Sequence, residues 1–207
     1  MSLADFGVFL TASILLTLSP GPDLIFVITQ SVSRHWKAGV ATALGLCSGL
    51  LVHMTVVAFG AAVFLKTNPI AFQTLKVSGG LYLLFLAWQA WRSDEEISLG
   101  NVDRSDLRKL YVKGITMNLL NPKVTLFFLA FLPQFIPTAT ERGLTPVQWA
   151  YLLGGVFLVQ ALLIFSTVSY ISGRWAARFW EHEGYQNTIK WGQIIVFVTI
   201  STHLLFT

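Results

Sequence analysis

Apolar residues gather in six long stretches, at about 6–30, 39–65, 69–91, 111–136, 147–171 and 189–206, with short polar segments between them. Each is near the roughly 20 residues that an α-helix needs to cross the hydrocarbon core of a bilayer. Lipid offers no partner to an open backbone N–H or C=O, so the internally bonded helix is the element these stretches predict. The pattern predicts an all-α, polytopic membrane protein with six transmembrane helices. No Lys or Arg precedes Arg34 and no small-residue cleavage site follows the first stretch, so it reads as a retained span and not as a signal peptide.

Two of the stretches are broken. Ser19-Pro20-Gly21-Pro22-Asp23 interrupts the first, and Asn121-Pro122-Lys123 interrupts the fourth. Prolines and a glycine stop a helix, and a charged side chain in hydrocarbon is costly enough that it marks a functional site by default. The two breaks carry opposite charges. Interrupted helices at matching places in two halves of a chain point to a transport site.

Ser19-Pro20 and Asn121-Pro122 each put a good N-cap residue before a proline suited to the first helical position. Each motif predicts the start of a new half-helix, with free N–H groups and a positive dipole end suited to a carboxylate. Gly21 allows close backbone approach, Asp23 offers a seat for an ammonium group, and Asn118 lies one turn before the second break. Lys123 at a helix start is locally unfavourable and predicts a carboxylate close by.

The hydrophilic segment 92–110 divides the chain into halves of about 1–91 and 111–207, within one membrane domain. Three spans per half make the second half enter the membrane from the opposite side, which predicts two inverted three-helix halves with helices 1 and 4 broken.

Composition agrees. Charged residues make up 12% of the chain, half of the roughly 25% usual in soluble domains. The net charge of +4 follows topology, not a nucleic-acid partner. Arg34, Lys37, Arg92, Arg104, Arg108, Lys109, Lys113, Arg174, Arg178 and Lys190 fall in three loops on one side, against Lys66 and Arg142 on the other. The positive-inside rule then predicts cytoplasmic basic loops and periplasmic N- and C-termini. Trp175, Phe179 and Trp180, mixed with charges between Gly173 and Lys190, read as a short interfacial helix.

Other features have plainer readings. Ala41, Gly45, Gly49 and His53 recur every four residues, and Gly45 to Gly49 is a GxxxG that predicts close helix packing. His53 is also a candidate for proton coupling, beside Asp23. Gln30, Gln89, Gln160 and Gln193 could line a cavity or bond between helices. Cys47 is a lone cysteine, so the chain has no disulfide, no CxxC redox pair and no zinc motif. Phosphate-binding loops and catalytic triads are missing from the sequence as well. No cofactor or metal is implied, and an enzyme is not expected.

At the two breaks the sequence resembles the LysE/RhtB family of bacterial amino-acid exporters, the LysE-type translocators. The resemblance rests on Ser19 to Asp23, on Arg34 to His53 with glycines at 39, 45 and 49, and on Asn118 to Lys123 followed by Phe127, Phe128 and Pro133. It covers nearly the whole chain. It implies a multi-pass protein of the bacterial inner membrane that exports a small amino acid, such as threonine, homoserine or another neutral one, by proton antiport. The residues expected to bind substrate are Ser19, Pro20, Gly21, Pro22, Asp23, Asn118, Asn121, Pro122 and Lys123. The partners are the amino acid, protons and the lipid bilayer. A passive channel, or an exporter of another metabolite on the same fold, is the alternative.

Overall fold

A computed structural model describes residues 2–19, 21–61, 69–92, 106–137 and 141–179, together with positions 191, 194–195, 198–199 and 201–202. Helices account for nearly all of them. Helix α1 (Leu3–Leu18) starts in a capping box, with Ser2 and Asp5 each bonded to the other's backbone N–H. Helix α2 (Pro22–Ser33) follows across the first break. Helix α3 (Trp36–Val56) runs on into a π turn at Val57–Ala61, and α4 covers Pro69–Arg92. Helix α5 (Leu107–Leu120) leads to the second break and to α6 (Pro122–Leu126). A π turn at Phe127–Phe131 and a 3₁₀ turn at Leu132–Phe135 extend α6, and α7 spans Pro146–Phe179.

By length and composition Trp36–Phe59 and Pro146–Arg174 are each able to cross a membrane. The pairs α1–α2 and α5–α6, bent by 53° and 52°, do so when each pair counts as one span. The broken helices expected at spans one and four are therefore present. The third stretch forms α4 as a 24-residue helix, and α4 packs on the π turn at Phe127–Phe131. Most of the sixth stretch lies outside the described residues, but Ser201 Oγ donates to Gly80 O of α4 at 2.8 Å.

Two boundaries differ from expectation. Helix α5 begins at Leu107, inside the expected linker, because the Asp106 side chain caps it by accepting from the Arg108 N–H. Residues 93–105 of that linker lie outside the described residues. Residues 173–179 continue α7 as one helix and do not start a separate interfacial one, since no proline or cap interrupts the run. The remainder, 180–190, lies outside the described residues.

Helix α3 packs closely against both α5 and α7, while the buried apolar core joins α1, α2, α3, the segment 124–136 and α7. A Cβ on Gly45 would sit 2.0 Å from Tyr111 O, and one on Gly114 2.6 Å from Thr42 O. The backbones touch where the side chains are missing, which is the close packing expected of a small-residue face. Gly49 meets Asn118 in the same way, a Cβ there falling 2.7 Å from Asn118 Oδ1. At the far end of α3, Gly39 leaves room for Ser31 Oγ and Ser169 Oγ, which bond each other at 2.8 Å. Ser31 Oγ also reaches Val27 O and Ser169 Oγ reaches Trp36 O, so α2, α3 and α7 are tied by polar bonds where their backbones meet.

Gly45→Val should therefore wedge α3 from α5 against rigid backbone, lowering stability by roughly 1–3 kcal/mol or more. Gly155, whose Cβ would meet nothing within 4 Å, should accept alanine within about 0.5 kcal/mol. Thermal unfolding of the two variants in the same detergent compares them directly.

Candidate functional site

The two breaks lie against each other. Asn121 closes α5 and caps α6, its Oδ1 accepting from Lys123 N at 3.0 Å with Pro122 as the first helical residue. That is the half-helix start the sequence predicts. The first break is built differently. Ser19 closes α1, its N–H donating to Leu15 O at 2.9 Å, and Gly21 is the residue before α2 with Pro22 at the first position. Ser19 is thus not an N-cap: Pro22, the second of two prolines suited to N1, starts the helix. Gly21 has no side chain to cap α2, so its first N–H groups keep no side-chain partner. Pro20 lies outside the described residues.

Lys123 crosses from the second break to the first. Its side chain is 8% exposed, and Nζ donates to Leu16 O and Ser19 O, each at 3.1 Å. These are carbonyls of the last turn of α1, which no helical N–H satisfies and where the helix dipole is negative. The expected carboxylate is present in the field of Lys123 as Asp23, but the ammonium is bonded to backbone. Gly21 makes this reach possible: a Cβ there would stand 3.1 Å from Lys123 Nζ.

Asp23 crosses the other way. It is 4% exposed, in the first turn of α2, and faces the side-chain amides of Asn118 and Asn121, with Lys123 and His53 within electrostatic reach. No well-formed hydrogen bond reaches its Oδ1, nor Asn118 Oδ1, Asn121 Nδ2 or Ser19 Oγ, although all four atoms are buried. His53, from α3, holds Asn118 O at 3.3 Å through Nε2 and stacks near Phe128 at 5.8 Å. Each half so sends one charged side chain to the other half's break.

Between them is a cavity with about 20 Å³ of water-accessible space, lined by Leu16, Thr17, Asp23, Asn118, Lys123 and Phe157 among others. That volume holds one water molecule. An aromatic cluster packs against its Phe157: Phe127 lies 5.2 Å from Phe157 and 4.9 Å from Phe131, and Phe135 lies 5.5 Å from Phe9.

The family model for the LysE type translocator matches residues 14–206 of this sequence, from within α1 to the end of the last stretch. The chain belongs to that family. It is 36% identical over 129 residues to the homoserine/homoserine lactone efflux proteins of Salmonella typhimurium and of Salmonella typhi, a match that covers 62% of this chain and 63% of each of theirs. The chain thus aligns with less than two thirds of their length. It is 32% identical over 177 residues to an uncharacterized membrane protein of Pseudomonas aeruginosa, covering 81% of this chain and 82% of that one. No solved structure gives a significant match.

In this translocator Asp23, Asn118 and Lys123 line the cavity, Ser19 O accepts from Lys123, Gly21 lies against Lys123 Nζ, Asn121 caps α6 beside them, and His53 holds Asn118 O. Pro22 and Pro122 sit at helix starts and shape the backbone. Thr17, Phe157 and Phe165 also line the cavity and went unread in the sequence, where nothing separates them from ordinary apolar-helix residues. Of the glutamines, Gln160 donates to Thr17 Oγ1 at 3.0 Å, and Gln30 is buried with Oε1 unpartnered. The side chains of Gln89 and Gln193 lie outside the described residues.

Lys123→Met should strip Leu16 and Ser19 of their partner and leave Asp23 without its cation. Losing one member of a buried charge network costs about 3–5 kcal/mol. Unfolding in graded detergent should show a loss of that order, against about 1 kcal/mol for Asn121→Ala, which removes a cap.

Proposed function

We propose that the protein is a secondary transporter that exports a small amino acid across the bacterial inner membrane in exchange for protons. The observation that carries this is the set of buried, unpartnered polar atoms at the two breaks: Ser19 Oγ, Asp23 Oδ1, Asn118 Oδ1 and Asn121 Nδ2. A buried polar atom without a partner costs about 1–3 kcal/mol. Asp23 and Asn118 line the cavity, and with Ser19 and Asn121 at the same breaks they describe a place that a polar ligand completes.

The chemistry of the set matches a zwitterion. Asp23 Oδ1 and Asn118 Oδ1 are acceptors for an ammonium group, and Asn121 Nδ2 is a donor for a carboxylate. The uncapped start of α2 adds N–H donors and a positive dipole end to the carboxylate side. The Salmonella relatives, named for efflux of homoserine and its lactone, support an amino-acid-like substrate.

Asp23 is the group on which export and proton entry meet. Protonated, it has no charge for the substrate's ammonium; ionised, it has one. His53, bonded to Asn118 O behind the same site, is placed to follow that change. The small cavity, lined from both halves, favours a carrier that opens to one side at a time over a continuously open channel. The basic loops support periplasmic N- and C-termini.

Counterflow in proteoliposomes tests the reading. Vesicles are preloaded with a mixed pool of unlabelled amino acids and offered labelled threonine, leucine or lysine in turn. One label should accumulate, and Asp23→Asn should cut the rate by about tenfold to a hundredfold. Asp23→Asn protein that still concentrates substrate under an imposed ΔpH would rule out the antiport role of Asp23. No accumulation of any label by folded wild-type protein would rule out amino-acid exchange.

A further inference from the structure

We propose that Leu16 O and Ser19 O, with Asp23 as counter-charge, form a monovalent-cation site that this chain fills with its own Lys123 ammonium. The site concerns cation binding and not the molecule carried, so it stands or falls apart from the transport reading above.

The end of α1 offers what a small cation binds. Backbone carbonyls left over where a helix stops inside a membrane carry the negative end of its dipole. Such helix ends coordinate Na⁺ in transporters built on broken helices. Here Lys123 Nζ stands 3.1 Å from each of Leu16 O and Ser19 O, reaching them from the other half of the chain. Lys123 also lines the cavity, together with Asp23 and Asn118, whose Oδ1 atoms are buried without a partner. Carbonyl, carboxylate and amide oxygens are the ligands that hard cations take. No sulfur or imidazole donor is among the residues that line the cavity.

Charge sets the valence. Asp23 is the one acidic residue among those that line the cavity, and Lys123 is the one cation. The two cancel. A divalent ion in place of the ammonium would leave a surplus charge among Leu46, Leu50, Phe157 and Phe165, which is costly away from water. Space agrees with a small ion. Gly21 leaves room beside Nζ, and the cavity next to Lys123 already holds the volume of one water. Cutting the side chain back to Cβ adds the room of the ammonium and its stem to that water, enough for an ion that keeps part of its hydration. The wild-type ammonium is tethered, so it occupies the oxygens permanently and the protein has no need of free Na⁺ at this place.

The experiment follows thermal unfolding of wild type, Lys123→Ala and Lys123→Met in one detergent, without amino acid. Each is purified in NaCl and then exchanged into NaCl, methylammonium chloride or choline chloride at equal ionic strength. Lys123→Ala should melt higher in NaCl or methylammonium than in choline, saturably, by about 3–6 °C at ten times the midpoint concentration. Wild type should not distinguish the salts. Lys123→Met should not distinguish them either, because its side chain fills the space without supplying a charge. Adding Asp23→Asn to Lys123→Ala should abolish the response. Lys123→Ala that melts alike in all three salts overturns the proposal. So does a saturable response in wild type, which would mean that the lysine does not fill the site, or an equal one in Lys123→Met, which would place the cation elsewhere. A response that survives Asp23→Asn overturns the role of Asp23 as counter-charge. If Lys123→Ala does not fold, Lys123→Ser, which adds one more oxygen, takes its place with the same expected result. Failure of both to fold even in NaCl overturns the proposal, since no free cation then replaces the tethered one.

Discussion

The last turn of an α-helix that ends inside a membrane leaves carbonyl groups with no water to turn to. Here that problem is met by a cation from the other half of the chain. Lys123 gives its protons to Leu16 O and Ser19 O, so the end of α1 depends on a residue about a hundred positions away. Almost everything else at the site follows from this contact. Gly21 leaves room for the ammonium beside it, and α6 starts at Pro122, which puts Lys123 in its first turn facing α1. With Lys123 held by backbone, Asp23 is left facing amides instead of closing an ion pair of its own. The site is therefore charged on both sides and incompletely bonded, which is an unfavourable state for an empty membrane interior and a suitable one for a ligand.

Packing keeps that arrangement in place. The glycines of α3 bring its backbone against α5, so Asn118 and His53 are fixed by helix contact and not by side-chain length. The phenylalanines from 127 to 135 fill the space between α1 and α7 with tilted and edge-on rings. Aromatic pairs of this kind add about 0.5–1.5 kcal/mol each beyond burial. Through Phe157 they meet the cavity wall, so an apolar cluster adjoins the polar centre.

Much of this was legible in the residues. Prolines beside ionisable groups in apolar runs have few explanations in a membrane, so both breaks and the residues at them stood out. The GxxxG face of α3 was legible because small residues at a spacing of four have a direct packing consequence. Less legible were the details that two residues could serve equally. Ser19-Pro20 and Gly21-Pro22 each fit a helix start, and the choice between them depends on where α1 releases the chain. The partner of Lys123 could not be read because carbonyls leave no mark in a sequence. Gln160 was one glutamine among four until Thr17 and Ser13 were seen beside it. Trp149 is buried, its Nε1 donating to Glu141 O in the segment before α7, a bond that carbonyl chemistry likewise leaves unmarked in the sequence.

The two π turns have a further consequence. A π turn holds one residue more than the α turn it replaces. If that extra residue moves along the helix, every residue it passes rotates by about 100°, the angle between neighbours in an α-helix. Val57–Ala61 ends α3 in such a turn, Phe127–Phe131 continues α6 in another, and the two are in contact. Displacing the second would swing Phe131 away from Phe135 and Phe127 away from Phe157 without breaking the helix ladder for more than a residue at a time. The aromatic cluster is thus built on a π turn whose displacement would turn its rings out of the contacts they make here.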